Sequence, residues 1–237
     1  MRLDKFIASQ GKYSRAEVKA LIKNGRIAVN GAAVSPDTDI GAGDSVLLDG
    51  ADFSYKKHVY IMMNKPAGVL SASRDTSKTV IDLIPENLKR PGLFPAGRLD
   101  KDTTGLLIIT DDGGFAHRLL SPASRIEKNY RAVVDSEITR EHIELFGGGI
   151  TLLNGEKCLP ARLEILKDGK TPLVSVTVFE GKYHQVKRML KMIGAGVVSL
   201  ERVRIGGVEL DPSLPHGECR EMSRIEQENI SKNSFSN

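Results

Sequence analysis

The stretch SRAEVKALIKNGRIAVNGAAV, residues 14–34, restricts the local fold more narrowly than any other part of the chain. Ser14 and Glu17 have the spacing of a capping box, in which the two side chains bond the free backbone amides at the start of a helix. An apolar stripe at helical spacing follows, and Asn24-Gly25 ends the helix. Asn30-Gly31 then separates two short runs of β-forming residues, which predicts a hairpin with a tight turn.

The residues on either side extend this stretch to a small domain. Leu3, Phe6 and Ile7 fall on one face of a helix, which is expected to end at Gly11. The run SVLLD, residues 45–49, predicts one more strand. We therefore expect residues 1–48 to form a helix–helix–hairpin domain.

The remainder of the chain has a different pattern. Residues 49–58, DGADFSYKKH, are polar and are predicted to be a linker. Residues 59–230 mix short strands and helices in no regular strand–helix–strand order, which favours an α+β fold with a mixed, mostly antiparallel sheet. The polar end SRIEQENISKNSFSN is expected to fray, with residues 231–237 disordered. The predicted strands are VYIMMN, GLLIIT, NYRAVV, RLEIL, LVSVTVFE and GVVSLERVRIGGVEL.

Positive charge is concentrated in two segments, although the formal net charge of the whole chain is only +4. Residues 1–30 contain seven Lys or Arg against two acidic residues, and residues 181–204 contain six against one. Two such clusters are typical of contact patches for a polyanion, but solvated helix faces would give the same pattern. On the two N-terminal helices the charge lies opposite the apolar stripes, and this geometry suits a phosphate backbone.

Nothing in the sequence indicates a metal, a cofactor or a membrane role. Cys158 and Cys219 are far apart, the five histidines have no paired spacing, and no Walker-type phosphate loop occurs. The N-terminal MRLDKFIASQ lacks the apolar core of a signal peptide, and the apolar runs are too short to span a bilayer. We expect a cytoplasmic, monomeric protein with no metal and no cofactor.

The segment GRLDKDTTGLLIITDDGG, residues 97–114, contains four aspartates around a predicted strand. Asp111 and Asp112 follow that strand, where Asp commonly shapes a turn and caps the next helix. Asp100 and Asp102 lie in the preceding loop, near an arginine. A carboxylate in that setting stays ionised and can act as nucleophile or base, but a loop salt bridge explains the same residues equally well.

Two later segments carry further polar candidates. In EGKYHQVKRMLKMIG, residues 180–194, an apolar face of Val186, Leu190 and Ile193 predicts a helix with a basic ridge, for which surface charge is the simpler interpretation. In EKNYRAVV, Tyr130 shares one face of a predicted strand with alternate residues, and packing is its commoner role.

Taken together, these motifs resemble a known family, the pseudouridine synthases of the RsuA group. MRLDKFIA, SRAEVKALIKNGRIAVNG and GDSV resemble an S4 RNA-binding domain. The catalytic part is similar to the family in MMNKPAGV, AGRLDKDTTGLLIITDDGG, HRLLSP, EKNYRA, EGKYHQVKRM, VVSLERVRIGGVEL and GECR. The resemblance implies isomerisation of a uridine already in the RNA: ribose leaves N1, the uracil turns, and ribose is rejoined at C5. Since no atom enters or leaves, no cofactor is needed.

By this resemblance, Asp100 is the required aspartate, Lys187 the basic residue that pairs with it, and Tyr130 the tyrosine that stacks on the base. Asp102 becomes a loop neighbour. The resemblance also implies an apolar contact beneath the uracil, a side chain that fills the gap in the RNA stack, a support residue near the cleft and a further basic contact to the substrate. In that order, these residues are Leu200, Arg98, Lys65 and Arg188. The residues of the S4-like domain that would bind RNA are Arg2, Lys5, Arg15, Lys19, Lys23 and Arg26.

Within the group, MRLDKFIA, EGKYHQVKRM, RIGGVELD and GECR favour the enzymes that modify position 516 of 16S ribosomal RNA. A 23S ribosomal RNA enzyme of the same group is the nearest alternative. A ribosome-assembly factor that has kept the S4 module without catalysis is another, and a metal-dependent phosphohydrolase using Asp111 and Asp112 is a third.

Overall fold

The computed structural model describes residues 1–41, 43–53 and 56–232, and these divide into two compact units. The first contains Met1–Val59 together with Pro85–Leu93, and the second contains Tyr60–Ile84 and the chain from Phe94 onward. The sequence did not predict that a segment from the middle of the chain would pack with the N-terminal residues. No helix in the described ranges is long and apolar enough to cross a membrane.

The first unit has the predicted helix–helix–hairpin order. The Ser14–Glu17 capping box is formed, and the turn residues Asn30 and Gly31 have φ values of 51° and 77°, as the tight hairpin requires. The apolar faces of both helices pack on the sheet. Its elements are α1 (Leu3–Ser9), α2 (Arg15–Lys23), β1 (Ile27–Val29), β2 (Ala32–Ala33), β3 (Val46–Leu48) and β4 (Ala51–Asp52), with antiparallel sheet order β2-β1-β3-β4.

Strand β4 lies inside the segment 49–58 that the sequence predicts to be a linker, and it pairs with β3. The domain limits 1–48, 49–58 and 59–230 remain predictions. Of the tail predicted to be disordered, residues 233–237 lie outside the described residues.

The second unit is an α+β structure built on one large sheet, as predicted. In the described residues the strand order is β13-β5-β7-β11-β8-β10-β9, with β6 on β7 and β12 on β11. The pair β7–β11 is parallel and the other pairs are antiparallel. The strands are β5 (Tyr60–Lys65), β6 (Phe94–Pro95), β7 (Thr104–Thr110), β8 (Lys128–Val134), β9 (Arg162–Lys167), β10 (Leu173–Val178), β11 (Val197–Ile205), β12 (Val208–Glu209) and β13 (Cys219–Glu221), and the helices are α3 (Gly113–Leu120), α4 (Arg140–Gly148), α5 (Gln185–Met192) and α6 (Arg224–Asn229).

Two local predictions have different outcomes here. Asp112 caps α3 by accepting a hydrogen bond of 2.9 Å from the Phe115 amide, as predicted. The expectation of fraying was wrong for residues 224–229, because Ser223 and Glu226 form a capping box that starts α6. Arg220 also binds Glu226 at 2.8 Å, which ties that helix to β13.

A close approach of two strands fixes the centre of the large sheet. Gly105 has a φ of +97° and lies opposite Arg202 in the parallel pair β7–β11. A Cβ at Gly105 would collide with the backbone carbonyl of Arg202, so only glycine fits. The loop before β7 is thereby held next to β11.

Candidate active site

A cleft of about 660 Å³ lies in the second unit, between the loop before β7, the start of α5 and one face of strands β8 and β11. It collects residues that are far apart in the chain. The sequence-predicted site residues that line it are Arg98, Asp100, Tyr130, Lys187 and Leu200.

Asp100 is held by two side chains from the start of α5. Lys187 Nζ lies 3.0 Å from Asp100 Oδ2, and His184 Nε2 lies 3.3 Å from Oδ1. The Asp100 side chain is only 22% exposed, so its carboxylate is fixed at the edge of the cleft with limited access to water. His184 was not predicted as a site residue; its left-handed backbone (φ 47°) directly before α5 carries its ring to Asp100.

Lys187 also binds Asp102 Oδ1 at 2.5 Å, so one ammonium group bridges both loop aspartates. The hydrogen bond from Lys187 lowers the pKa of Asp102. Burial lowers the pKa of Lys187, but its bonds to Asp102 and Asp100 outweigh that effect and the net pKa is raised. Asp102 is 75% exposed and does not line the cleft. Asp100, in contrast, is partly buried and lines it.

Hydrogen bonds from Ser71 and Lys65 hold the loop that carries Asp100. The backbone amide of Leu99 donates to Ser71 Oγ, and Ser71 Oγ donates to the Leu99 carbonyl. The ammonium of Lys65 donates to the carbonyls of Lys101 and Thr103, at 3.3 and 2.9 Å. These bonds fix the backbone on both sides of the aspartate.

Two of the predicted substrate-binding residues do not line the cleft. Lys65 is fully buried and does not line the cleft, because its ammonium is used to hold loop carbonyls; it supports the site and has no access to a substrate. Arg188 does not line the cleft either, since consecutive helix residues point about 100° apart and Lys187 takes the inward direction. Arg188 lies instead 3.4 Å from Glu156.

The inner wall of the cleft is formed by the sheet. Tyr130 is half-buried on β8, and Leu200 is buried on β11. Arg202 lies directly opposite Tyr130 in the β8–β11 pair, with its guanidinium 5.9 Å from the centre of the tyrosine ring. The sequence placed Arg202 only within a basic cluster and did not single out Lys128, which also lines the cleft.

In the first unit, two of the six predicted RNA-binding side chains have partners. Arg2 binds Asp4 and Asp37, and Arg26 binds Asp49 through two hydrogen bonds. Both arginines are about half exposed. The other four are exposed and form no ion pair within the described residues: Lys5, Arg15, Lys19 and Lys23.

Comparison with known protein families identifies the class of protein to which this fold and cleft belong. The profile of the RNA pseudouridylate synthase family matches residues 59–192, and that of the S4 domain matches residues 1–46. The chain belongs to the RNA pseudouridylate synthase family, whose members isomerise uridine in RNA, and carries an S4 domain at its N-terminus.

Related proteins match over almost the whole chain. An RNA pseudouridine synthase of Bacillus subtilis, YtzG, is 44% identical over 95% of this chain and 96% of its own length. Ribosomal small subunit pseudouridine synthase A of Escherichia coli K12 is 40% identical over 95% and 98%, respectively. A crystal structure of a pseudouridylate synthase superposes with a TM-score of 0.68 at 37% identity, covering 97% of this chain and 99% of the other.

Proposed function

We propose that this protein converts one uridine of small-subunit ribosomal RNA to pseudouridine, that the uridine is position 516 of 16S RNA, and that Asp100 carries the chemistry. The observation that most directly supports the role of Asp100 is its position: the carboxylate lies in the cleft, 3.0 Å from Lys187, opposite a wall formed by Tyr130 and Leu200. The choice of small-subunit RNA rests on the names of relatives that share 35–40% identity with this chain over nearly its full length.

The target uridine must leave the RNA stack before a carboxylate can reach its glycosidic bond. Flipping a base out costs a few kcal/mol, which the protein has to offset through its contacts with RNA. In the proposed complex, Tyr130 and Leu200 enclose the base, and exposed Arg98 fills the gap that the base leaves. The basic side chains of the S4 domain hold the backbone of the RNA.

Within that complex, Asp100 acts on the sugar or base as a nucleophile or takes a ribose proton. Lys187 keeps the carboxylate ionised and aimed, because an opposite charge in contact favours the charged form. Ser71 and Lys65 hold the loop that carries Asp100, so the position of the carboxylate does not depend on the substrate.

The matched pair Asp100→Asn and Asp102→Asn tests this assignment, since both aspartates bind Lys187 and each change keeps the size of the side chain. We expect Asp100→Asn to lower kcat by at least about a thousandfold, as removal of a reacting group does. Asp102 forms an exposed ion pair worth at most about 1 kcal/mol, so Asp102→Asn should cost less than about tenfold. Equal losses in both variants, or an active Asp100→Asn, would contradict the proposed role of Asp100.

The target is tested by mapping pseudouridine across all ribosomal RNA from cells with and without the gene. We expect one site to disappear, at position 516 of 16S RNA, and to return with the wild-type gene but not with Asp100→Asn. Loss of a site in 23S RNA would contradict the choice of subunit. No lost site would favour a non-catalytic role in ribosome assembly.

A further inference from the structure

The cleft contains two buried cations that the proposed chemistry has not yet used. Lys128 and Arg202 are each only 5% exposed, and both line the cleft. Within the described residues, neither forms an ion pair with a carboxylate, and no hydrogen bond is made by the Lys128 ammonium. Arg202 donates through Nε to the Leu106 carbonyl at 2.8 Å, but its Nη2 is buried without a hydrogen-bond partner.

Two neighbouring buried cations without a counter-ion are unfavourable for the free protein. Burial and, to a smaller extent, repulsion from Arg202 together lower the pKa of Lys128 to about 8. Buried charges in proteins are normally paired. An arrangement that lacks the partner indicates that an anionic group enters the cleft during function.

The position of the two cations identifies which group that is. Lys128 and Tyr130 project from the same face of β8, with Cα atoms about 7 Å apart as two-residue spacing in a strand requires. Arg202 Nη1 lies 3.5 Å from the hydroxyl of Tyr130. A base stacked on Tyr130 therefore has these cations near its edge, whereas Asp100 approaches from the loop and from α5.

We propose that Lys128 and Arg202 bind the uracil ring and stabilise the negative charge that it gains when its bond to ribose breaks. In that step the C1′–N1 bond breaks and both of its electrons pass to the ring, where they delocalise onto the carbonyl oxygens. Either C1′ bonds to the Asp100 carboxylate, or C2′ loses its proton to that carboxylate and a C1′–C2′ double bond forms. When C5 later bonds to C1′, the Asp100 carboxylate leaves C1′ or returns the proton to C2′, and the ring becomes neutral. The C5 proton is then lost and N1 gains one, so protons balance and no further reactant is needed. Preorganised cations favour such a leaving group because they require no rearrangement as the charge develops.

The inference rests on the proposed function and deepens it. A backbone phosphate of the RNA has the same charge and is the competing occupant of this subsite. The two differ in timing, because a phosphate is charged before and after the reaction, while the uracil is charged only between bond cleavage and bond formation. A phosphate contact therefore contributes to RNA affinity, and a leaving-group contact contributes to the rate.

The test compares Lys128→Met with Lys128→Arg on two RNAs of the mapped target sequence, one containing uridine and one containing 5-fluorouridine at the target position. Fluorine withdraws electrons, so the fluorinated ring is the better leaving group and depends less on external cations. In single-turnover cleavage of the uridine RNA, Lys128→Met should be slower by about a hundredfold, which is typical for loss of one charge-stabilising donor. With 5-fluorouridine that loss should shrink by about tenfold or more. Lys128→Arg keeps the charge and should retain most of the rate.

The dissociation constant of the uridine RNA should be unchanged in Lys128→Met. An equal rate loss with both bases, or a weakened RNA affinity that accounts for the lost activity, would overturn the proposal, and the second outcome would assign the subsite to a phosphate. Arg202 is left unchanged because it also holds the backbone of β7. Circular dichroism and thermal unfolding show whether the Lys128 variants are folded. Wild-type protein that forms no pseudouridine would refute the proposed function itself, whereas active wild type with an equally active Lys128→Met would refute only the subsite.

Discussion

The buried lysines Lys65 and Lys128 allow a stability test in which the same substitution should act in opposite directions. Burial lowers the pKa of each ammonium group to about 8. The Lys65 ammonium donates to three backbone carbonyls, whereas the Lys128 ammonium has no hydrogen-bond partner in the described part of the chain. Replacement by Met keeps most of the side-chain volume in both cases, so the difference between the two variants reports on the polar environment.

The expected magnitudes follow from these contacts. Lowering the pKa of Lys128 from 10.5 to about 8 corresponds to about 3 kcal/mol at pH 7, since each pH unit is worth 1.36 kcal/mol. Lys128→Met should therefore raise the free energy of unfolding by about 1 to 3 kcal/mol, the full value being an upper bound because the Met side chain makes its own contacts. Lys65→Met relieves a similar burial cost but leaves three carbonyls without their donor, at about 2 kcal/mol each, so it should lower the free energy of unfolding by about 3 kcal/mol on balance.

The gain in the free energy of unfolding that Lys128→Met brings should decrease as pH rises. The folded state binds the Lys128 proton less tightly than the unfolded state, so wild-type stability from this group increases as pH rises from about 8 to 10.5. The difference between variant and wild type should be largest at pH 7 and fall below about 1 kcal/mol by pH 10. Urea unfolding of the three proteins between pH 7 and pH 10 measures both effects. A Lys128→Met protein that is less stable than wild type at pH 7, or an advantage that is independent of pH, would refute the reasoning.

Further outcomes are expected at the sheet centre and on the S4 domain. Gly105→Ala should lower the free energy of unfolding by at least about 2 kcal/mol, because φ is +97° and the added Cβ meets the Arg202 carbonyl. Urea unfolding measures this loss, and a Gly105→Ala protein as stable as wild type would contradict the close approach of the two strands. Lys19→Gln and Lys23→Gln should each weaken RNA binding and reduce the slope of log affinity against log salt by about one. Arg26→Gln should change that slope less, since Asp49 already neutralises Arg26, and an equal change would contradict this ranking.

The fold was predictable where local chemistry decides it. Capping residues, the Asn30-Gly31 turn and alternating strand patterns depend on a few neighbouring residues, and the predicted α+β class and most strands were confirmed. The Ser223–Glu226 capping box carried the same type of signal but was overlooked within a polar stretch. The parallel pair β7–β11 depends on residues almost a hundred positions apart, and the place of residues 85–93 in the first unit depends on packing between distant segments, so neither follows from local patterns.

The residues of the candidate site likewise differ in how far the sequence alone could predict them. The resemblance to the family implied roles for Asp100, Tyr130, Lys187 and Leu200, and all four line one cleft. The motifs did not reveal the part played by Arg202, since its position depends on the register of β11 against β8. Nor does any pattern in the sequence distinguish Lys65, whose ammonium is hydrogen-bonded to backbone carbonyls, from Lys128, whose side chain lines the cleft.

The cleft distributes its charges in a way that suits the two fragments of a cleaved nucleoside. On the side of the loop and α5, Lys187 is compensated by the carboxylates of Asp100 and Asp102. On the sheet side, Lys128 and Arg202 have no carboxylate partner in the described residues. Cleavage of the glycosidic bond leaves electron-poor carbon on the ribose and electron-rich nitrogen on the base, so a carboxylate is useful at the first fragment and a cation at the second. A compensating carboxylate beside Lys128 would stabilise the empty protein, and it would remove the field that the departing base requires.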